Sequence, residues 1–251
     1  GLEFFDQMEI HNTRDKAEHT RYADHIYDRL QRKGFLKEDC LDLLIKERNV
    51  FGACMVSLQE ADAMICGLNR SYAVTLESVE YVLDPIPNKR VLGLTVMICN
   101  GRTIFVADTN VHDMPNGAEL ADITQQSAKV VREIFNIEPR AALLSYSNFG
   151  KPFTERSAYI RDALKILNKR DVGFEYDGEM AANVALNENL LALYPFCKLS
   201  GPANLLIMPA IHSASISTKL LQELGGGDLV GPYLVGFNES VQIAPLSASV
   251  A

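Results

Sequence analysis

Ala141-Ala142-Leu143-Leu144-Ser145-Tyr146-Ser147-Asn148 sets four apolar residues directly against four polar ones. The apolar half shows no in-out alternation. That pattern suits a short strand covered on both faces, as in parallel sheets clothed by helices. The polar half marks where such a strand ends. Upstream, Ala118 to Phe135 reads as a helix with Leu120, Ile123, Val130, Val131 and Ile134 as its buried stripe. Downstream, a helix near 155–169 turns Ile160, Ala163, Leu164 and Leu167 inward.

Further out the alternation continues. Val172 to Tyr176 and Asn204 to Met208 read as strands, and Ile216 to Leu224 as a helix ending at Gly225. Val91 to Cys99 and Thr103 to Ala107 flank Asn100-Gly101, the signature of a tight β-hairpin. The first third is helical. Thr13 is placed to cap a helix carrying Ala23, Ile26, Tyr27 and Leu30 and closed by Gly34, and Lys37 to Glu47 sets Cys40, Leu43 and Leu44 on one side. The expected class is α/β, with mainly parallel sheets covered on both faces. A division into two lobes would cross near Pro87-Asn88-Lys89 and again near Gly231-Pro232.

Composition narrows the function. The 251 residues are 47% hydrophobic and 22% charged, ample for a core. A formal charge of -8 argues against nucleic-acid binding, which wants a basic face. No apolar stretch approaches the roughly 20 residues of a membrane helix, and no signal peptide is visible, so no membrane role is expected. Cys40, Cys54, Cys66, Cys99 and Cys197 are odd in number and form no C-x-x-C pair, as expected of reduced thiols in a cytoplasmic protein. The start at Gly1 and the stop at Ala251 inside an apolar segment suggest a cut from a longer polypeptide.

Polar residues gather behind the apolar strands: Asp108-Thr109-Asn110, Ser145 to Asn148, Asp177-Gly178-Glu179 and His212-Ser213-Ala214-Ser215. Ligands of open α/β sheets bind beyond the carboxyl ends of strands, so the four clusters together suggest one crevice. Singly, each reads as a loop or helix cap rather than a site. His212 lacks a His or Cys at ligand spacing and reads as structural; no metal site is expected. Gly225-Gly226-Gly227 follows a helix instead of preceding one, so it reads as a C-cap and not a phosphate loop. No G-x-G-x-x-G or Walker motif is present. Arg70 and Ser71, within Asn69-Arg70-Ser71-Tyr72, could hold a phosphate or simply decorate the surface.

Several segments resemble the phosphate acetyltransferase family: Ala142 to Gly150, Asp177-Gly178-Glu179-Met180 with Val184-Ala185, and Ser200-Gly201-Pro202-Ala203-Asn204. Ile216 to Gly227 and Asn69 to Tyr72 are similar to the form of this domain fused behind the catalytic part of bacterial NADP-dependent malic enzymes. The resemblance implies the isocitrate/isopropylmalate dehydrogenase-like phosphotransacetylase fold: two α/β/α lobes with CoA or acetyl-CoA in the cleft between them. Residues 1–88 and 232–251 would form one lobe, lacking its N-terminal part, and 89–231 the other. Arg70, Ser71, Ser145, Tyr146, Ser147, Asp177 and Glu179 would line the cleft.

The chain departs from the family where acyl transfer is performed. The family's late Asp-Leu-Ser-Arg-Gly motif matches Ile243 to Ser247, so Pro245 and Leu246 replace its serine and arginine. Two further family arginines match Leu30 and Glu77. Attack of CoA thiolate on acetyl phosphate needs cations around the phosphate, and loss of one such donor costs about 10²–10³ in rate. The resemblance with these departures implies a non-catalytic regulatory domain that binds acetyl-CoA or CoA and supports a homo-oligomer. The malic activity, its NADP and its divalent metal would belong to the parent polypeptide. An active phosphate acetyltransferase with a rearranged site is the alternative.

Overall fold

The computed structural model describes residues 8–13, 19–152, 155–246 and 248. The chain divides into two compact units, Gly1–Asp84 with Phe237–Ala251, and Pro85–Gly236. The first unit opens with α1 (His19–Leu30), whose inner face is His19, Tyr22, Ile26 and Leu30. The i, i+4, i+8 spacing of the last three is the helical repeat that buries one stripe. There follow α2 (Lys37–Lys46), α3 (Arg48–Ser57), β1 (Ala63–Gly67) and α4 (Tyr72–Glu80).

The second unit holds β2 (Leu92–Cys99), β3 (Arg102–Ala107), α5 (Gly117–Phe135), β4 (Arg140–Leu144), α6 (Ala158–Leu167) and β5 (Glu175–Met180). It continues with α7 (Ala182–Leu186), α8 (Glu188–Leu191), β6 (Leu205–Ile207), α9 (Ile211–Gly225) and β7 (Asp228–Val235). The chain then returns to the first unit as β8 (Ser240–Ala244), which pairs in parallel with β1.

The large sheet has the order β5-β4-β6-β3-β2-β7. It is parallel from β5 to β3 and antiparallel at β2 and β7. Alternate residues point to opposite faces. Phe105, Ala107, Ala141, Leu143, Leu205 and Ile207 pack with Leu120, Ile123 and Val131 of α5 and Ile160, Ala163 and Leu167 of α6. Ile104, Val106, Ala142, Leu144 and Leu206 pack with Val184 and Ala185 of α7, Leu191 of α8 and Ala214 of α9. Two helical layers therefore sandwich the sheet, the α/β/α arrangement expected of apolar strands. Each fully buried leucine contributes roughly 1.5–3 kcal/mol by transfer from water.

The hairpin between β2 and β3 forms as expected, with Asn100 and Gly101 at φ 49° and 71°. Those left-handed angles are the ones asparagine and glycine tolerate. Gly226 likewise ends α9 as a left-handed C-cap, φ 60°.

Other expectations need correction. Ile134 is 67% exposed; the buried stripe of α5 instead uses Ala121, Thr124, Ser127 and Ala128 between its leucine, isoleucine and valines. The strand expected at Val172 to Tyr176 runs from Glu175 to Met180, so Asp177-Gly178-Glu179 lies within β5 and not behind it. Gly178 suits that strand because a Cβ there would come within 2.7 Å of the Leu143 carbonyl. The last long helix begins at Ile211, which puts His212 to Ser215 in its first turns and not in a loop. Gly231-Pro232 falls inside β7. In α1 the side chains of Ala23 and Tyr27 are half-buried, and Tyr22 takes the inner position. Part of the helix start assigned to Thr13 lies outside the described residues; Thr13 itself hydrogen-bonds the Ile45 carbonyl at 3.5 Å.

Candidate functional site

In the second unit a cavity of about 430 Å³ opens at the carboxyl ends of β4 and β6. Its floor is carbon: Leu144, Ile160 and Met208, all buried, with Ala182 at the start of α7. Ser145 and Tyr146 enter as the chain leaves β4, Ser157 and Tyr159 from the start of α6, Pro209 after β6, and Ser213 and Ser217 from α9. The volume falls in the lower part of the range of about 300–1,000 Å³ typical of small-molecule pockets.

Behind the hydroxyl rim sits one buried acid. Glu179 has a side chain with 0% exposure. It accepts from Ser147 Oγ at 2.7 Å and Ser157 Oγ at 3.3 Å. Arg161 Nη1 reaches both its oxygens at 3.2 Å and donates to Ser157 Oγ at 2.9 Å. A carboxylate taken out of water needs this compensation. Ser147 gives its proton to Glu179, so Ser145 is the donor in the 3.1 Å contact between the two serines. The loop is further pinned by Ser145 N to the Met180 carbonyl (2.9 Å) and Ala181 N to Asn148 Oδ1 (2.8 Å). Tyr159 donates to the Pro209 carbonyl at 3.1 Å, and burial, with Glu179 nearby, pushes its phenol up.

The structure thus brings Ser145, Tyr146, Ser147 and Glu179 together. Asp177 stands apart from the cavity: its carboxylate accepts from Gly178 N and Lys198 N, each at 2.8 Å, and so anchors the segment after α8. Asp108 organises its own turn, accepting from the amides of Gly93, Asn110, Val111 and His112. His212 is solvent-facing, 3.7 Å from Asp113 Oδ1. Ser157, Tyr159, Arg161 and Ser217 were not anticipated from the sequence.

The remaining candidates belong to the first unit. Arg70 pairs with Glu47 at 2.6 Å, and Ser71 caps α4 by accepting from Val74 N at 3.4 Å. Glu77 accepts from Tyr81 OH at 2.9 Å. Leu30 is buried in the helical core, while Pro245 and Leu246 follow β8 with Leu246 exposed. Among the described residues no group of three His, Cys, Asp or Glu could hold a metal ion. The five cysteines are unpaired; burial pushes Cys54 up to about 12 and Cys66 to about 11.

A family model described as "Phosphate acetyl/butaryl transferase" matches residues 3–251. The NADP-dependent malic enzyme of Rhizobium meliloti is 53% identical over 241 residues, which are 96% of this chain but 32% of that protein. The phosphate acetyltransferase of Treponema pallidum is 30% identical over 249 residues, covering 94% of this chain and 73% of that protein. A phosphotransacetylase structure from Streptococcus pyogenes superposes with a TM-score of 0.86 at 27% identity, covering 96% of this chain and 73% of its own. The chain spans about a third of the length of the malic enzyme it matches and most of a free-standing transferase. By the match along nearly its whole length and the structural likeness to phosphotransacetylases, the chain belongs to the phosphate acetyl/butaryl transferase family.

Proposed function

We propose that this chain is the phosphotransacetylase-like regulatory portion of an NADP-dependent malic enzyme, binding acetyl-CoA or CoA without transferring the acyl group. The carrying observation is the 53% identity to a malic enzyme of which it spans 32%. Pro245 and Leu246 add to it, because neither can stabilise a phosphate or polarise an acyl phosphate. Glu77 would moreover repel one. NADP, the divalent metal and the decarboxylation of malate to pyruvate belong, on this reading, to the rest of the parent. Ser145 and Tyr146 are the proposed ligand-contacting residues of the second unit, with Ser147 and Glu179 holding their loop, and Arg70 and Ser71 are those proposed in the first; Asp177 has a positioning part only. Regulation requires the CoA ester to bind one activity state of the parent more tightly than the other; occupancy alone shifts nothing.

The reading includes a cytoplasmic, homo-oligomeric protein. α9 supports the second point. Ile216, Leu220 and Leu224 form an apolar line along it at 59%, 53% and 83% exposure. Lys219 and Glu223 beside them have no ion-pair partner among the described residues. Two such helices packed antiparallel about Leu220 and Leu221 would set Lys219 near the partner's Glu223.

The test is a calorimetric titration of acetyl-CoA into the chain, beside an assay of acetyl-CoA formation from acetyl phosphate and CoA. Saturable binding with no turnover is the expected result. Turnover at a rate typical of an enzyme would replace this reading with that of an active phosphate acetyltransferase.

A further inference from the structure

We propose that a groove built by α8 and the segment leading to β6 docks a partner polypeptide, through an arginine or lysine set among apolar residues. The groove shares no lining residue with the cavity at the carboxyl ends of β4 and β6, so this inference stands apart from the CoA-binding reading.

Residues 192–200 form neither helix nor strand, yet their backbone is pinned. Tyr194 N donates to the Leu191 carbonyl at 2.9 Å, and Cys197 N to the Tyr194 carbonyl at 2.8 Å. Asp177 accepts from Lys198 N at 2.8 Å, and Glu175 from the amide and the hydroxyl of Ser200, both at 2.9 Å. The groove, of about 220 Å³, has Glu188, Leu191, Tyr194, Pro195, Cys197 and Ser200 among its walls. That volume falls below the range of about 300–1,000 Å³ typical of small-molecule pockets, and suits one long side chain. Beside it Leu193 is 70% and Phe196 65% exposed. The Phe196 ring is held in place: it packs edge-on against Phe149 at 4.9 Å and against Tyr194 at 6.0 Å. A fixed, exposed aromatic is a common anchor of protein interfaces, because little side-chain freedom is left to lose on docking.

Charge decides what the partner brings. Glu188 lines the groove, and Glu175 and Asp177 anchor its Ser200 and Lys198 side; none of the three makes an ion pair among the described residues. The nearby cations are turned to neutral groups. Lys198 Nζ donates to Asn168 Oδ1 at 3.0 Å, and Arg140 Nε to the Pro202 carbonyl at 2.9 Å. A guanidinium or ammonium entering the groove would meet the Glu188 carboxylate and the Tyr194 ring, while its apolar neighbours cover Leu193 and Phe196. An acidic segment would meet carboxylates that no cation offsets.

The experiment follows the backbone amides of residues 188–201 by NMR, in the isotope-labelled chain, as the capped tripeptide leucyl-arginyl-phenylalanine is added. Saturable shifts at those amides are expected. Affinity should exceed by about three- to tenfold that of the same peptide carrying citrulline, the uncharged analogue of arginine. The glutamate version should bind most weakly. Glu188→Gln should bring the arginine and citrulline peptides together, and Phe196→Ala should weaken both; each side chain is exposed, so neither change threatens the fold. Equal binding of the citrulline peptide, tighter binding of the glutamate peptide, or no saturable shift at millimolar peptide would overturn the inference. So would an arginine preference that survives Glu188→Gln. If a second copy of this chain is the occupant, the same amides will shift on raising the protein concentration without peptide, which overturns it too. None of these outcomes bears on the binding of acetyl-CoA, which its own titration decides.

Discussion

Glu179 is the residue on which the geometry of the second unit's site depends. Its ionised form is compensated by Arg161 and two serine hydroxyls. Removing the carboxylate takes from the partly buried Arg161 guanidinium its buried counter-charge and from Ser147 its 2.7 Å acceptor. Glu179→Ala should therefore cost about 3–5 kcal/mol, the scale for breaking one side of a buried pair. Glu179→Ala with Arg161→Ala should cost clearly less than the sum of the two single changes, by roughly 0.5–3 kcal/mol. Urea denaturation followed by circular dichroism reads this, since the chain has no tryptophan; strictly additive losses would show that the pair is not coupled. The same residue shows how much of the site the sequence discloses. Ser145, Tyr146 and Ser147 are legible because they stand directly behind an apolar strand. Glu179 is named for a wrong reason, as a loop residue, although it lies in β5. Arg161 gives no signal of its own: it enters from α6, one turn after Ser157, and only folding brings that turn against β5.

At the scale of elements, local chemistry is legible where it is self-contained. Asn100-Gly101 dictates its turn through backbone angles alone. The α5 start is another such case. Asn116 accepts from the amides of Ala118 and Glu119, and Glu119 returns a bond to Asn116 N at 2.9 Å, a capping box. Asn116→Ala should cost about 1 kcal/mol. In a chain of this size that lowers the melting temperature by about 2–4 °C; an unchanged melting curve would mean that other contacts fix the helix start. What is not legible depends on neighbours. β5 is an edge strand made of Glu175, Tyr176, Asp177, Gly178, Glu179 and Met180, so its polar composition hides it beside the more apolar Val172 to Tyr176. The first turns of α9 read as a loop because His212, Ser213 and Ser215 are polar and little of the helix is buried. Ile134 fits the periodicity of α5 yet falls on its solvent side. Conversely Thr124 and Ser127 are fully buried there, with Thr124 returning its hydroxyl to the Leu120 carbonyl at 2.7 Å.

The whole molecule raises the question of why α9 leaves so much carbon in water. Only Ala214 and Thr218 of its fifteen residues are buried. Ile216, Leu220 and Leu224 are largely exposed, spaced so that they share one side of the helix. Exposed apolar stripes of this kind often mark association, and the two-fold pairing proposed above would cover the apolar line and bring the Lys219 and Glu223 charges together. Leu220→Lys tests it with little risk to the fold, because the side chain is already more than half in water. Sedimentation should show the unsubstituted chain associating and Leu220→Lys shifting toward monomer, with unchanged circular dichroism. The charge pair supplies a second reading that hydrophobicity alone would not move. Glu223→Lys should weaken association by placing like charges opposite each other, and Lys219→Glu combined with Glu223→Lys should restore part of it. A reversed pair that fails to recover association would rule out this antiparallel register even if Leu220→Lys produced the monomer.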